Sequence, residues 1–283
     1  MTIRSQMIAS LSRGKSLLAD SEPLVVDFLK ASVNPDGGFR GRSDKSDLYY
    51  TVFGLEVLSA LGEPLASEQT LSFLDGFADL ENLDLIHLAS LIRCYANLTQ
   101  GRIENSLRER LVNALERFRC EVATVYECFF ALGAYHDLGV ELPNQDDVIK
   151  CIGRLCVSAG GFTNNSSIPV GSTNATAAAM ITLHHLGEKI DNKHGDWLLN
   201  QCTDSGGFVA VAGAPMPDLL STATSVHALS VTGFKIDSIK EKTLDFVDSL
   251  WTSKGSFHAN RADKTIDCEY TYYGLLALGH LGN

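Results

Sequence analysis

With 283 residues, 45% of them hydrophobic, the chain can bury a sizeable core. Its formal charge of −11 would repel a phosphate backbone, and no basic, aromatic-laced patch offsets it, so nucleic acid is excluded as an expected partner. No run reaches the roughly 18 apolar residues that a membrane span needs, and the N-terminus lacks an apolar stretch followed by a small-residue cleavage site.

The absence of a Pro/Ser-rich linker or charge block leads to the expectation of a single domain over 1–283, with 1–22 as an N-terminal extension. Seven cysteines, an odd number with no CxxC pair, fit a reduced, cytoplasmic compartment.

From Leu24 onward, apolar residues recur at helical spacing. The first pair of expected helices is Leu24–Val33, stopped by Asn34-Pro35-Asp36-Gly37, and Leu48–Leu61, stopped by Gly62. Then come Glu68–Phe77 with Asp84–Leu98, Glu104–Phe118 with Val125–Leu138, and Asp147–Val157 with Thr173–Leu186. Lys193–Gln201 with Thr222–Val231, and Ser238–Trp251 with Cys268–Leu281, complete six helical hairpins. A hairpin cannot bury its apolar face alone, so the six must stack, either as an open solenoid or as a ring. The second helix of each pair carries few charges, as in Ala177-Ala178-Ala179, and is expected to lie inside.

One ruler runs through the chain. Phe257, Asp267, Thr271 and Gly282 are spaced as Phe208, Asp218, Thr222 and Gly233 are, and as Phe162, Ser172, Thr176 and Gly187 are. Phe39, Asp47, Thr51 and Gly62 follow with a shorter loop. Four residues before the reference Thr or its aligned equivalent stand Asp47, Asp84, Thr124, Ser172, Asp218 and Asp267, all good helix N-caps, each worth about 1 kcal/mol. Six helix N-termini gathered at one end would favour an anion.

The Gly-Gly-Phe loops, the Asp-x-x-x-Thr helix start and the Leu-Gly helix end resemble the prenyltransferase and squalene-cyclase repeat superfamily, over about residues 24–283. The resemblance implies an all-α fold, an (α/α)6 toroid whose central cavity takes an isoprenoid chain. Arg261-x-x-Lys264-x-x-Asp267-x-Glu269-Tyr270-Thr271 is similar to a run in the β subunits of protein farnesyl- and geranylgeranyltransferases, where Arg and Lys hold a diphosphate while Asp and Cys bind zinc. That match implies Arg261 and Lys264 as diphosphate ligands and Asp267 as a metal ligand or catalytic residue, with Glu269 at the place of the cysteine.

Arg42-x-x-Lys45-x-Asp47-x-Tyr49-Tyr50-Thr51 repeats the order near the start of the chain, with Tyr49 at the cysteine place. The family's third zinc ligand, a His, finds a counterpart in His87, so Asp47 and His87 are the pair to which Zn or Mg would bind. If the ring closes, Arg42, Lys45, Arg261 and Lys264 gather beside Asp47, Asp267 and Glu269, with Tyr49, Tyr50 and Tyr270 as aromatic walls. His227 and Asn174, on expected inner helices, are further candidates for the cavity wall.

Three functions fit this set. In the first, the seam binds an isoprenoid diphosphate and a prenyl group is transferred, with a helical partner subunit, as the transferase β subunits have, or a second copy of the chain as homodimer partner. In the second, Asp267-x-Glu269-Tyr270-Thr271 stands in register with the Asp-x-Asp-Asp-Thr motif of class II terpene cyclases, and Glu269 or Asp267 is the acid that protonates an alkene. In the third, the ring binds a lipid or a partner protein without catalysis.

Overall fold

One threonine hydroxyl anchors the loop of a repeat to the helix that follows it. Thr51 Oγ1 accepts the Phe39 N–H at 2.9 Å and donates to the Asp47 carbonyl at 2.7 Å. Thr176 joins Phe162 to Ser172 in the same way, and Thr222 joins Phe208 to Asp218. In the last repeat Thr271 donates to the Asp267 carbonyl at 2.9 Å and shares a 2.7 Å bond with the Ser256 hydroxyl. The ruler in the sequence is therefore a hydrogen-bond requirement: a buried Phe N–H must find an acceptor, and the Thr supplies it.

The loop glycines set the next contact. Gly37 and Gly255 have φ of +90° and +82°, which side chains other than glycine resist, and an added Cβ would fall 2.3 Å from the Gln69 carbonyl carbon or 2.0 Å from the Leu24 oxygen. Each loop thus rests on the start of the next outer helix. For Gly255 that helix belongs to the first repeat, so this contact joins the end of the chain to its beginning.

The structure, a computed structural model, describes residues 1–65, 67–120 and 123–282. An N-terminal helix, α1 (Ile3–Leu18), precedes the repeats. The outer helices are α2 (Glu22–Ala31), α4 (Ser67–Asp75), α6 (Asn105–Leu115), α8 (Gln145–Arg154), α10 (Asn192–Leu199) and α12 (Lys240–Asp248). The inner helices are α3 (Leu48–Leu61), α5 (Leu85–Leu98), α7 (Val125–Leu138), α9 (Thr173–His185), α11 (Leu219–Val231) and α13 (Cys268–Leu281). Each inner helix packs on the next, and α13 packs on α3, closing an α/α toroid. Among the described residues there are isolated β-bridges but no strands. No helix among them is long and apolar enough to cross a membrane.

The inner helices are buried on nearly every side, so hydrophobic periodicity marks them poorly and their caps mark them well. All six expected caps act as such: Asp47, Asp84, Thr124, Ser172, Asp218 and Asp267 each accept a backbone N–H of the first turn.

The stretch expected as an extension contains α1, which lies across the C-terminal ends of the inner helices. Ser12 Oγ donates to the Ala60 carbonyl, Lys15 Nζ to Leu61 and Arg13 Nε to Gly279, at 3.0, 3.0 and 3.1 Å. Basic side chains at helix C-termini complement the helix dipole and satisfy carbonyls that have no partner within the helix. Gly14 and Gly279 let α1 approach α13 closely: an added Cβ on Gly279 would sit 1.8 Å from the Ser10 oxygen.

Candidate functional site

Inside the ring is a cavity of about 410 Å³, within the range of small-molecule sites. Its wall is ordered in layers, because the six inner helices share a register set by their caps. Two residues past each cap stand Tyr49, Ile86, Tyr126, Asn174, Leu220 and Glu269, and the first five of these line the cavity. Six past the cap stand Phe53, Ser90, Phe130, Ala178, Thr224 and Tyr273, all on the wall. Nine past it stand Glu56, Arg93, Gly133, Ile181, His227 and Leu276, also all on the wall. The middle layer is largely aromatic or apolar, whereas the innermost layer, on the side of α1, holds charge.

Beside the helix-start end of the cavity, at Tyr49, lies the seam between first and last repeats. Tyr49 Oη donates to Glu269 Oε1 at 2.7 Å. Arg42 reaches from its loop to Asp267 at 3.4 Å and to Asp263 at 3.7 Å, and its guanidinium carbon lies 5.6 Å from the centre of the Tyr270 ring. Burial pushes the carboxyls of Asp267 and Glu269 above their ordinary range; for Asp267 the Tyr270 N–H and Arg42 pull against it, and for Glu269 the Tyr49 hydroxyl does. Tyr50 and Tyr270 stand at the seam beside Arg42, while Tyr49, Asn174 and His227 are cavity-lining. Asn174 Oδ1 accepts the Thr224 hydroxyl at 2.8 Å.

Of the four basic residues expected at a diphosphate, Arg42 is tied into the seam. Lys45, Arg261 and Lys264 are exposed on the same two loops. The backbone N–H groups that would draw an anion are largely taken. Four of the six caps are carboxylates, and the first N–H groups of α7, α9 and α11 donate to the carbonyls of Asn164, Ala210 and Ala259 in the next repeat. Attraction for any anion at this end of the ring therefore rests on side chains.

Asp47 is engaged with the Tyr49 and Tyr50 N–H groups, and His87 Nδ1 meets Asp84 at 2.8 Å on the exposed start of α5. Among the described residues no group of three or more His, Cys, Asp or Glu converges as a metal would require. Asp47 and His87 thus find no third donor among the described residues.

The innermost layer escaped the sequence reading except for His227. Arg93 Nη2 donates to Glu56 Oε2 at 3.0 Å while its Nε faces Oε1, and Arg4 Nε from α1 meets Asp137 at 2.8 Å. His227 Nδ1 lies 2.9 Å from His280 Nε2. The signal was present: Glu56 and Arg93 are rare charges in apolar helices, nine residues past their caps, in the same register as His227.

The prenyltransferase alpha-alpha toroid domain family matches residues 6–99, 103–195 and 183–282. None of the curated proteins matches the sequence. Among solved structures, the chain is similar to a Candida albicans protein geranylgeranyltransferase-I complexed with GGPP, at 14% identity, with 83% of each chain covered and a TM-score of 0.63. It is also similar to the apo type II terpene cyclase MstE from Scytonema, at 13% identity, covering 93% of this chain and 96% of the cyclase with a TM-score of 0.62. A protein from Actinoplanes, 14% identical, is covered over 98% of its chain against 93% of this one, with a TM-score of 0.59.

Proposed function

We propose, from the premise that the chain belongs to the prenyltransferase alpha-alpha toroid domain family, that it binds an isoprenoid diphosphate and transfers the prenyl group. The hydrocarbon chain would fill the aromatic cavity and the diphosphate would lie at the seam between α3 and α13. The observation that carries this reading is an aromatic-walled cavity that shares Tyr49 with a seam where Arg42 is held by Asp267 and Tyr270.

In this reading Arg42, Lys45, Arg261 and Lys264 take the negative charge. As the allylic C–O bond breaks, its electron pair stays with the diphosphate, and these side chains stabilise the charge that develops there. The faces of Phe53, Phe130 and Tyr273 receive the positive carbon end. Asp47 and Asp267 hold the starts of α3 and α13, which frame the seam. A helical partner subunit or a second copy would supply or help bind the acceptor.

Titration calorimetry with farnesyl diphosphate tests the reading. Arg42→Ala, and the pair Arg261→Ala with Lys264→Ala, should each raise the Kd about tenfold if they lose one charge-assisted bond. Unchanged constants in both variants would sink it.

A second reading, cyclisation, is favoured by one observation: Glu269 is partly buried, shifted upward by burial and fixed by Tyr49 beside the cavity. A carboxyl kept protonated there could deliver its proton to an alkene carbon.

A further inference from the structure

The innermost layer of the cavity is a costly place for charge. Glu56 is fully buried and Arg93 keeps 14% of its side-chain surface, yet both stand on the wall of a cavity whose middle layer is mostly apolar. A buried ion pair is seldom worth more to stability than well-packed hydrophobic residues of the same volume. The fold does not require charge at this level, since the equivalent positions on α7, α9 and α13 are Gly133, Ile181 and Leu276.

We propose that this layer reads the far end of the ligand: Arg93 donates a hydrogen bond to an uncharged oxygen, a hydroxyl or carbonyl, carried by the chain at the end opposite its head group. The inference rests on the isoprenoid reading above and narrows it to chains oxygenated at their far end.

Three observations select this chemistry. Arg93 Nε and Nη2 meet Glu56 and the Met7 thioether, the latter at 3.2 Å, and the Tyr272 hydroxyl also engages both members of the pair, so the guanidinium is held in one orientation while it lines the cavity. The charges of the layer and its support are balanced: Arg93 by Glu56, Arg4 by Asp137. An anionic or cationic ligand end would leave one charge without a counterpart, so a neutral group fits. His227 Nε2, in the same layer, is buried without a partner among the described residues, a second polar atom that a hydrocarbon end cannot satisfy. A plain hydrocarbon end pressed on this layer would strip water from its polar groups with nothing in return, a loss of about ten- to hundredfold in affinity.

The test compares farnesyl diphosphate with ω-hydroxyfarnesyl diphosphate on the full chain, and farnesol with ω-hydroxyfarnesol as the pair lacking the diphosphate. Wild-type protein should bind the hydroxylated member of each pair about tenfold tighter or more. The variant Glu56→Leu with Arg93→Met removes both charges at once and should remain folded by circular dichroism; in it the preference should vanish or reverse. Loss of binding by both diphosphates, with the preference kept among the alcohols, would remove the diphosphate reading and leave this inference standing. Equal or tighter binding of the plain chains by wild-type protein, a preference unchanged in the double variant, or no binding of either pair would overturn it.

Discussion

The hydroxyl of Tyr49, at the start of the first inner helix, donates to the carboxyl of Glu269, at the start of the last, across 2.7 Å. This bond crosses the junction where the ring closes and leaves the second oxygen of Glu269 available for a proton. Glu269→Gln keeps an acceptor for Tyr49 and removes the acid. In incubations with an isoprenoid diphosphate, the variant should retain prenyl transfer within about threefold if Glu269 only braces the seam, whereas a cyclised product should fall by the 10² or more typical of a lost general acid. Product analysis by mass spectrometry separates the two. With its carboxyl raised by burial, a cyclisation that needs Glu269 protonated should also be lost as pH rises through that elevated value.

Thr222 is not on the cavity wall; its hydroxyl joins the Phe208 loop to the start of α11. Thr222→Val removes the acceptor of the Phe208 N–H and leaves that buried group unpaired, at a cost of about 1–3 kcal/mol. Urea denaturation should report the loss; an unchanged midpoint would show that the Thr does not hold the loop.

Gly133 faces the cavity from α7, and an added Cβ there meets nothing within 4 Å. Gly133→Ala should therefore stabilise the helix by roughly 0.5–1 kcal/mol. Gly133→Leu should leave the melting temperature near that of wild type while filling the innermost layer. Its Kd for farnesyl diphosphate should rise at least about tenfold, the effect of filling space that the hydrocarbon chain needs.

Three histidines, His185, His227 and His280, should make the protein sensitive to acid. Burial pushes His280 down to about 4, with Arg13 adding to the shift, and His185 down to about 4, with His136, His184 and the N-terminus adding to it. His227 is lowered well below its ordinary value by burial, with His280, His185, Arg13 and Arg93 adding to it. These imidazoles are neutral in the fold and would gain protons on unfolding below about pH 6.5. Their contribution is complete above that pH and is lost progressively as pH falls toward 4. The urea midpoint should drop between pH 7 and 5, and His280→Asn should flatten the drop. A midpoint that does not move over this range would contradict the assignment.

What could be read from the sequence followed from local rules. Leu48–Leu61, Val125–Leu138 and Cys268–Leu281 begin and end at the expected residues because a cap, a loop hydrogen bond and a terminal Gly fix both ends. α11 begins at Leu219 rather than Thr222, since the helix starts at its cap, Asp218, and not at the anchoring hydroxyl. α8 ends at Arg154, before the expected Val157, and α12 is shorter at both ends, since outer helices stop wherever the chain must turn into the next loop. α1 belongs to no repeat, so a ruler built on repeats had no place for it. The seam was assembled from motif order alone, but the layer of Glu56 and Arg93 needed the cap register carried from helix to helix.

The position of α1 ties the two ends of the chain together in time as well as in space. It precedes all six repeats in the chain, yet it packs on α13, at their far end, and on α3. Contacts of such long sequence separation form late and slow the search for the native state. During synthesis α1 must wait for its main partner, and the face it turns to α13 stays uncovered until the final repeat has emerged. A nascent chain lacking α13 would present that helix to other proteins, and a chaperone that shields it would raise the yield of closed rings.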